Sequence, residues 1–128
     1  METPCLAETI GDIEHIDFVT VRLPFLHPFS ISAATWTCKE ALLLRLEARG
    51  VVAWGECVAD PDPFYAYETT STTAHIIKDF LLPLIEPGLS LGDLLARFKP
   101  VRGHGMAKAT VENALIALAA TRKALPLH

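Results

Sequence analysis

The chain has 128 residues, 51% of them hydrophobic and 20% charged, and a formal net charge of −4. This length and composition fit one globular domain around one core and exclude a disordered chain. No basic run marks it for nucleic acid, and no apolar run reaches the ~18 residues of a membrane span.

Residues 1–12 show no periodicity and are expected to be a loose terminus ahead of a domain over 13–128. They lack the basic start and apolar stretch of a signal peptide, so a cytoplasmic location is expected. Residues 13–23 carry Ile16, Phe18, Val19, Val21 and Leu23 and stop at Pro24, which predicts a strand. Phe18 beside Val19 breaks the alternation, so this strand is either covered on both faces or bulged. Residues 24–37 read as a long loop holding Phe25, His27, Phe29 and Trp36. Loops of that length in compact domains are often binding loops or lids. From Glu40 the chain alternates, with Leu42, Leu44, Leu46 and Ala48 on one face and Arg45 and Glu47 on the other. Arg49-Gly50 supplies a turn, and residues 51–58 make a third strand. Three antiparallel strands are about the minimum for an independent sheet.

Trp54 to Glu68 runs from the end of that strand to the start of a helix, through two prolines, two aspartates and three aromatics. Such a loop either carries function or folds its rings back over the core. The period then changes from 2 to 3.6. Residues 68–82 present Ala74, Ile77, Phe80 and Leu81 and stop at Pro83. Ser90 caps a short helix to about Phe98, with Asp93 in its first turn. A long helix over 106–123 carries Ala107, Val111, Ala114, Leu115 and Leu118 as its apolar stripe, and its many alanines suit close packing against a neighbour. Strands followed by helices define an α+β fold.

No catalytic set emerges from the residues. Serine-hydrolase, Walker, zincin and dinucleotide motifs are absent, and the five histidines are scattered. Three cysteines without a CxxC pair imply neither a disulfide framework nor a zinc site. Cys57 reads as a small buried hydrophobe, or as a nucleophile if the fold brings it a base. Gly103-His104-Gly105 before the long helix either binds an anion at the helix N-terminus or only lets the chain turn sharply. Glu56 is a candidate general base, or the acceptor that holds the following loop.

Two groups of residues carry a family resemblance. One comprises residues 27–32, Trp54-Gly55-Glu56-Cys57, Pro63-Phe64-Tyr65 and Glu68. The other is Gly103-His104-Gly105-Met106-Ala107-Lys108-Ala109, leading through Glu112 to Leu125-Pro126-Leu127. Together they resemble the N-terminal capping domain of the enolase superfamily, muconate-lactonizing subgroup, and within it the o-succinylbenzoate synthase / N-succinylamino acid racemase family. The resemblance covers about residues 13–127 and implies a three-stranded antiparallel sheet followed by a helical bundle. In that family the domain closes over a C-terminal (β/α)₈ barrel, and the loops after its first and third strands cover a small-molecule carboxylate substrate. By position, Phe29, Ser32, Asp60 and Tyr65 would face that substrate. Asp60 departs from the family pattern, standing where the racemases often have an apolar residue.

The family's chemistry belongs to the barrel: lysines abstract the α-proton, and a Mg²⁺ held by barrel acids stabilises the enediolate. A barrel needs on the order of 200 or more residues. This chain is therefore expected to be a fragment of a longer, homo-oligomeric enzyme, inactive by itself and with no metal or catalytic residue of its own. The function implied is a Mg²⁺-dependent o-succinylbenzoate synthase-like lyase of menaquinone biosynthesis. An N-acylamino acid racemase or dipeptide epimerase is the alternative within the enzyme class, and a free-standing binding domain the alternative outside it.

Overall fold

A computed structural model describes residue 9 and residues 11–31 and 34–122. Strands β1 (His15–Ile31), β2 (Ala34–Ala48) and β3 (Val51–Cys57) form one antiparallel sheet in the order β1-β2-β3. Helices α1 (Thr70–Ile76), α2 (Leu91–Arg97) and α3 (Gly105–Arg122) follow. The fold is therefore the expected α+β arrangement, a three-stranded antiparallel sheet followed by helices. No helix among the described residues is long and apolar enough to cross a membrane.

The alternation in β2 sorts its side chains as expected. Leu42, Leu44, Leu46 and Ala48 are buried, and Arg45 ion-pairs on the other face with Asp17 at 3.6 Å and Glu47 at 3.1 Å. Arg49 and Gly50 both take positive φ, 52° and 77°, the pairing of a tight hairpin turn. Glu14 Oε1 accepts the N–H of Arg49 and steadies that turn.

The expected loop over 24–37 is a correction. Both strands run on, so that Phe29 pairs with Trp36 and Ile31 with Ala34. The register is regular from His15 to Pro24 and shifts only between Pro24 and Phe29, because Pro24 faces Cys38 while Phe29 faces Trp36. Residues 25–28 thus stand opposite Thr37 alone, which is a bulge. Prolines 24 and 28 have no N–H for a ladder, and an edge strand with a bulge is where a sheet tolerates them. There is no bulge at Phe18 and Val19, and both are half-buried, one on each face.

The helical block differs in detail. Thr69 and Thr72 cap α1 reciprocally, so it starts at Thr70 and not at Glu68. It continues as a π-turn over Ile77–Leu81 and a 3₁₀ turn over Leu82–Leu84. The wider π-turn rotates Phe80 off the apolar face: Ile77 and Leu81 are buried while Phe80 is 51% exposed. Ser90 Oγ accepts the N–H of Asp93 and caps α2 as expected. Thr9 bridges to Ser90, and Gly11 is buried.

The core lies between the inner face of the sheet and the helices. Leu44, Leu46, Ile77, Leu81, Leu91, Leu94, Phe98, Val111, Leu115 and Leu118 are fully buried there. α3 lies directly on β3, and Gly55 makes this possible. A Cβ at Gly55 would stand 2.0 Å from the Thr110 carbonyl oxygen and 3.1 Å from Ala114 Cβ. Thr110 is itself fully buried, and its hydroxyl donates to the Met106 carbonyl at 2.7 Å. Because the obstacle is backbone, the helix as a whole must move to admit a methyl. Gly55→Ala is expected to cost about 3 kcal/mol, the upper end for overpacking. Gly88→Ala meets nothing within 4 Å, and its expected change is within about 0.5 kcal/mol. Urea unfolding of both variants checks this, and equal losses would refute the close approach.

Candidate functional site at one end of the sheet

Strand register brings three segments together. Val21 pairs with Ala41 and Cys57 with Leu42, so the β1–β2 hairpin beyond Pro24 and the chain after Cys57 leave the sheet at the same end. Met106 packs against Leu42, Cys57 and Ala59, which brings the N-terminus of α3 there as well. Cys57 is fully buried in this packing, as a small hydrophobe.

The loop after β3 closes on itself. Asp60 bridges to Thr69, and its carbonyl accepts the N–H of Thr70 at 3.0 Å. Residues 61–66 therefore project from a hydrogen-bonded neck, in the manner of a compact Ω-loop. Three consecutive residues then hold helix ends. The Tyr67 hydroxyl accepts the N–H of His104 at 3.1 Å. Glu68 is buried, and its carboxylate accepts the N–H of Met106 at 3.0 and 3.1 Å and that of Ala107 at 3.2 Å. Thr69 caps α1.

This resolves the Gly103-His104-Gly105 signal. The chain does turn sharply there, with φ of 67° at Gly103 and 51° at His104. The helix N-terminus also holds an anion, but that anion is the chain's own Glu68. Glu56, expected as a base or as the holder of the loop, is instead exposed on the sheet face opposite α3. Glu68 does the holding. One clue to it was present in the sequence: α3 has no Ser, Thr, Asp or Asn at its start, so its first amides need a cap from elsewhere.

The four expected substrate-facing residues are distributed unevenly. Phe29 lies in the outer part of β1, paired with Trp36, at this end of the sheet. Ser32 lies outside the described residues. Asp60 stands half-buried at the loop neck. Tyr65 is 72% exposed in the projecting loop, and Phe64 and Tyr67 are exposed as well. Leu23 and Leu26 of β1 are also exposed. Among the described residues, no three His, Cys, Asp or Glu side chains converge as a metal would require.

The α+β domain thus brings two aromatic segments and a capped helix end to one end of its sheet. The comparisons give the class a family. Residues 15–128 match the mandelate racemase / muconate lactonizing enzyme N-terminal domain, and the chain belongs to that family. It is 38% identical over 119 residues to an o-succinylbenzoate synthase of Geobacillus stearothermophilus, covering 91% of this chain and 32% of that protein. It is 32% identical over 106 residues to an N-succinylamino acid racemase of Amycolatopsis sp, covering 79% of this chain and 28% of that one. A solved enolase-superfamily member from Listeria innocua superposes with a TM-score of 0.80 at 31% identity, covering 87% of this chain and 31% of its own. The chain thus spans about a third of the length of the relatives it matches, 32% for the Geobacillus protein.

Away from the loops, a groove of about 450 Å³ runs between α2 and α3, lined by Gly92, Leu95, Phe98, Lys108 and Glu112 among others. Burial pushes the Glu112 carboxyl above the ordinary glutamate range, and Lys108 one turn earlier offsets part of the shift. A raised carboxyl pKa means that ionised Glu112 costs stability in the fold. That cost is fully present above the folded-state pKa and vanishes below the ordinary value, where both states are protonated. Glu112→Gln is therefore expected to be the more stable protein near pH ~7, with the difference closing as pH falls through the raised folded-state pKa and gone below about 4. Melting temperatures of both proteins across that range check it, and a gap that widens in acid would contradict it.

Proposed function

We propose that this chain, over residues 13–128, is the substrate-capping domain of a Mg²⁺-dependent o-succinylbenzoate synthase-like lyase of menaquinone biosynthesis, a cytoplasmic homo-oligomer whose catalytic (β/α)₈ barrel follows this domain. The observation that carries the reading is the pair of aromatic segments at one end of a sheet whose sequence is 38% identical to a synthase of that name. In this reading the ion and the proton-abstracting lysines belong to the barrel. Phe29, Ser32, Asp60 and Tyr65 act by contact: they close over the small carboxylate substrate, exclude water and shape the pocket. The racemase name among the relatives supports a second reading, capping of an N-acylamino acid racemase or dipeptide epimerase. The full-length protein incubated with Mg²⁺ separates them. Formation of o-succinylbenzoate supports the first reading, and racemisation without dehydration replaces it with the second.

Tyr65 tests the capping role itself. A phenol in this loop contributes shape and exclusion of water and does not replace lysine as the base. In the full-length enzyme, Tyr65→Ala is expected to lower kcat/KM roughly ten- to a hundredfold, ~1.4–2.7 kcal/mol. At 72% exposure the ring is not a core ring, so stability should stay near wild type, whereas a buried ring would cost about 3–5 kcal/mol. Kinetics and a thermal melt on the same variant decide, and normal kinetics with a large loss of stability would remove Tyr65 from the site.

A further inference from the structure

Glu68 presents a carboxylate that the proposed reaction does not use. It is only 5% exposed, yet it reaches across 38 positions of sequence to the first turn of α3. Its two oxygens accept the amides of Met106 and Ala107 at 3.0–3.2 Å. Those amides belong to the group that an α-helix leaves without internal partners, at the positive end of its dipole. The Tyr67 hydroxyl beside it takes the amide of His104, two residues before Met106, and a Cβ at Gly103 would stand 3.2 Å from that hydroxyl. On the other side, Asp60 holds Thr69 and Thr70. The loop is thus anchored at residues 60 and 67–70, while Phe64 and Tyr65 are exposed at 59% and 72%. Three peptide links join Tyr65 to Glu68, a tether of about 10–11 Å when extended. A tether this short passes any displacement of the neck on to the ring.

We propose that Glu68 is a positioning residue for the substrate. By fixing the neck of the loop to the N-terminus of α3, it sets where Phe64 and Tyr65 stand over the active-site mouth. This rests on the capping reading above. Glu68 itself touches no substrate and acts only through the loop. A carboxylate suits the task because it satisfies two adjacent amides from one rigid plane and complements the helix dipole.

The test uses the full-length protein with its barrel and three variants: Glu68→Ala, Glu68→Gln and Tyr67→Phe. Two readouts are taken together. One is steady-state kinetics of o-succinylbenzoate formation and of N-succinylamino acid racemisation with Mg²⁺. The other is backbone hydrogen exchange over residues 60–67 and at Met106 and Ala107. Glu68→Ala is expected to raise KM about tenfold while kcat stays within about threefold, and to speed exchange at both places. Glu68→Gln keeps one acceptor oxygen and should recover most of both. A lowered melting temperature with wild-type KM would make Glu68 a packing residue and overturn the proposal. If Glu68→Ala does not fold, Tyr67→Phe, which removes one anchor of the same neck, decides: raised KM with faster loop exchange supports the proposal, and wild-type values of both overturn it. If the wild-type protein makes neither product, the capping reading fails separately. The exchange data then judge the positioning claim alone, and unchanged protection over 60–67 in Glu68→Ala overturns it.

Discussion

Everything at the site depends on how closely α3 lies against β3. The Thr110 carbonyl occupies space that any side chain at Gly55 would need, 2.0 Å from where a Cβ would stand. A helix that near a strand requires small or flat residues on its inner face. Ala107, Thr110, Val111 and Ala114 recur at the i, i+3, i+4, i+7 spacing that keeps one face turned to the sheet. All four are fully buried. The helix is laid along β3 with its N-terminal Met106 beside Cys57 at the end where β3 stops. The positive end of the dipole then opens on the chain leaving β3, and an acid in that chain finds its partner there without a search. Glu68 is that acid.

The elements that the sequence makes legible are those whose side chains obey a single period. β2 reads correctly from Leu42 to Ala48 because one face is core and the other water, and the burial follows residue by residue. α3 reads within one residue at each end because its stripe is long and regular. The segment over 24–37 misleads because prolines ordinarily end strands, and only the edge position of β1 with its bulge lets the chain continue past them. The helix expected over 68–82 misleads at Phe80, because a π-turn over Ile77–Leu81 changes the period in a segment that starts as an α-helix. Neither a sheet edge nor a π-turn can be inferred from spacing alone.

Contacts between distant residues are legible only as deficits. Gly103-His104-Gly105 announces a turn with no cap, yet nothing in the linear chain says that the missing acceptor lies at position 68. The same limit applies to Gly55: a glycine inside a strand signals close approach of something, and only the fold shows that it is the Thr110 carbonyl. The family resemblance supplied the architecture and four positions expected to face a substrate, but not the neck on which one of them, Tyr65, is carried.

The division between a fixed neck and a free tip has a thermodynamic basis. Ordering a residue's backbone costs about 1–2 kcal/mol, and a lid that had to order ten residues at each closure would lose much of its binding energy to that term. Here Asp60, Tyr67, Glu68 and Thr69 are already held by hydrogen bonds to helix ends or to each other. The tip carries exposed rings with few rotatable bonds, Phe64 and Tyr65. Rings bury much area for little conformational loss. In the capping reading proposed above, such a loop can change what it fits by changing a tip residue, since the neck and the Gly55 contact carry the folding constraints. A change at the neck has no such freedom: it moves every tip residue together and exposes two helix amides that have no other cap within their own segment.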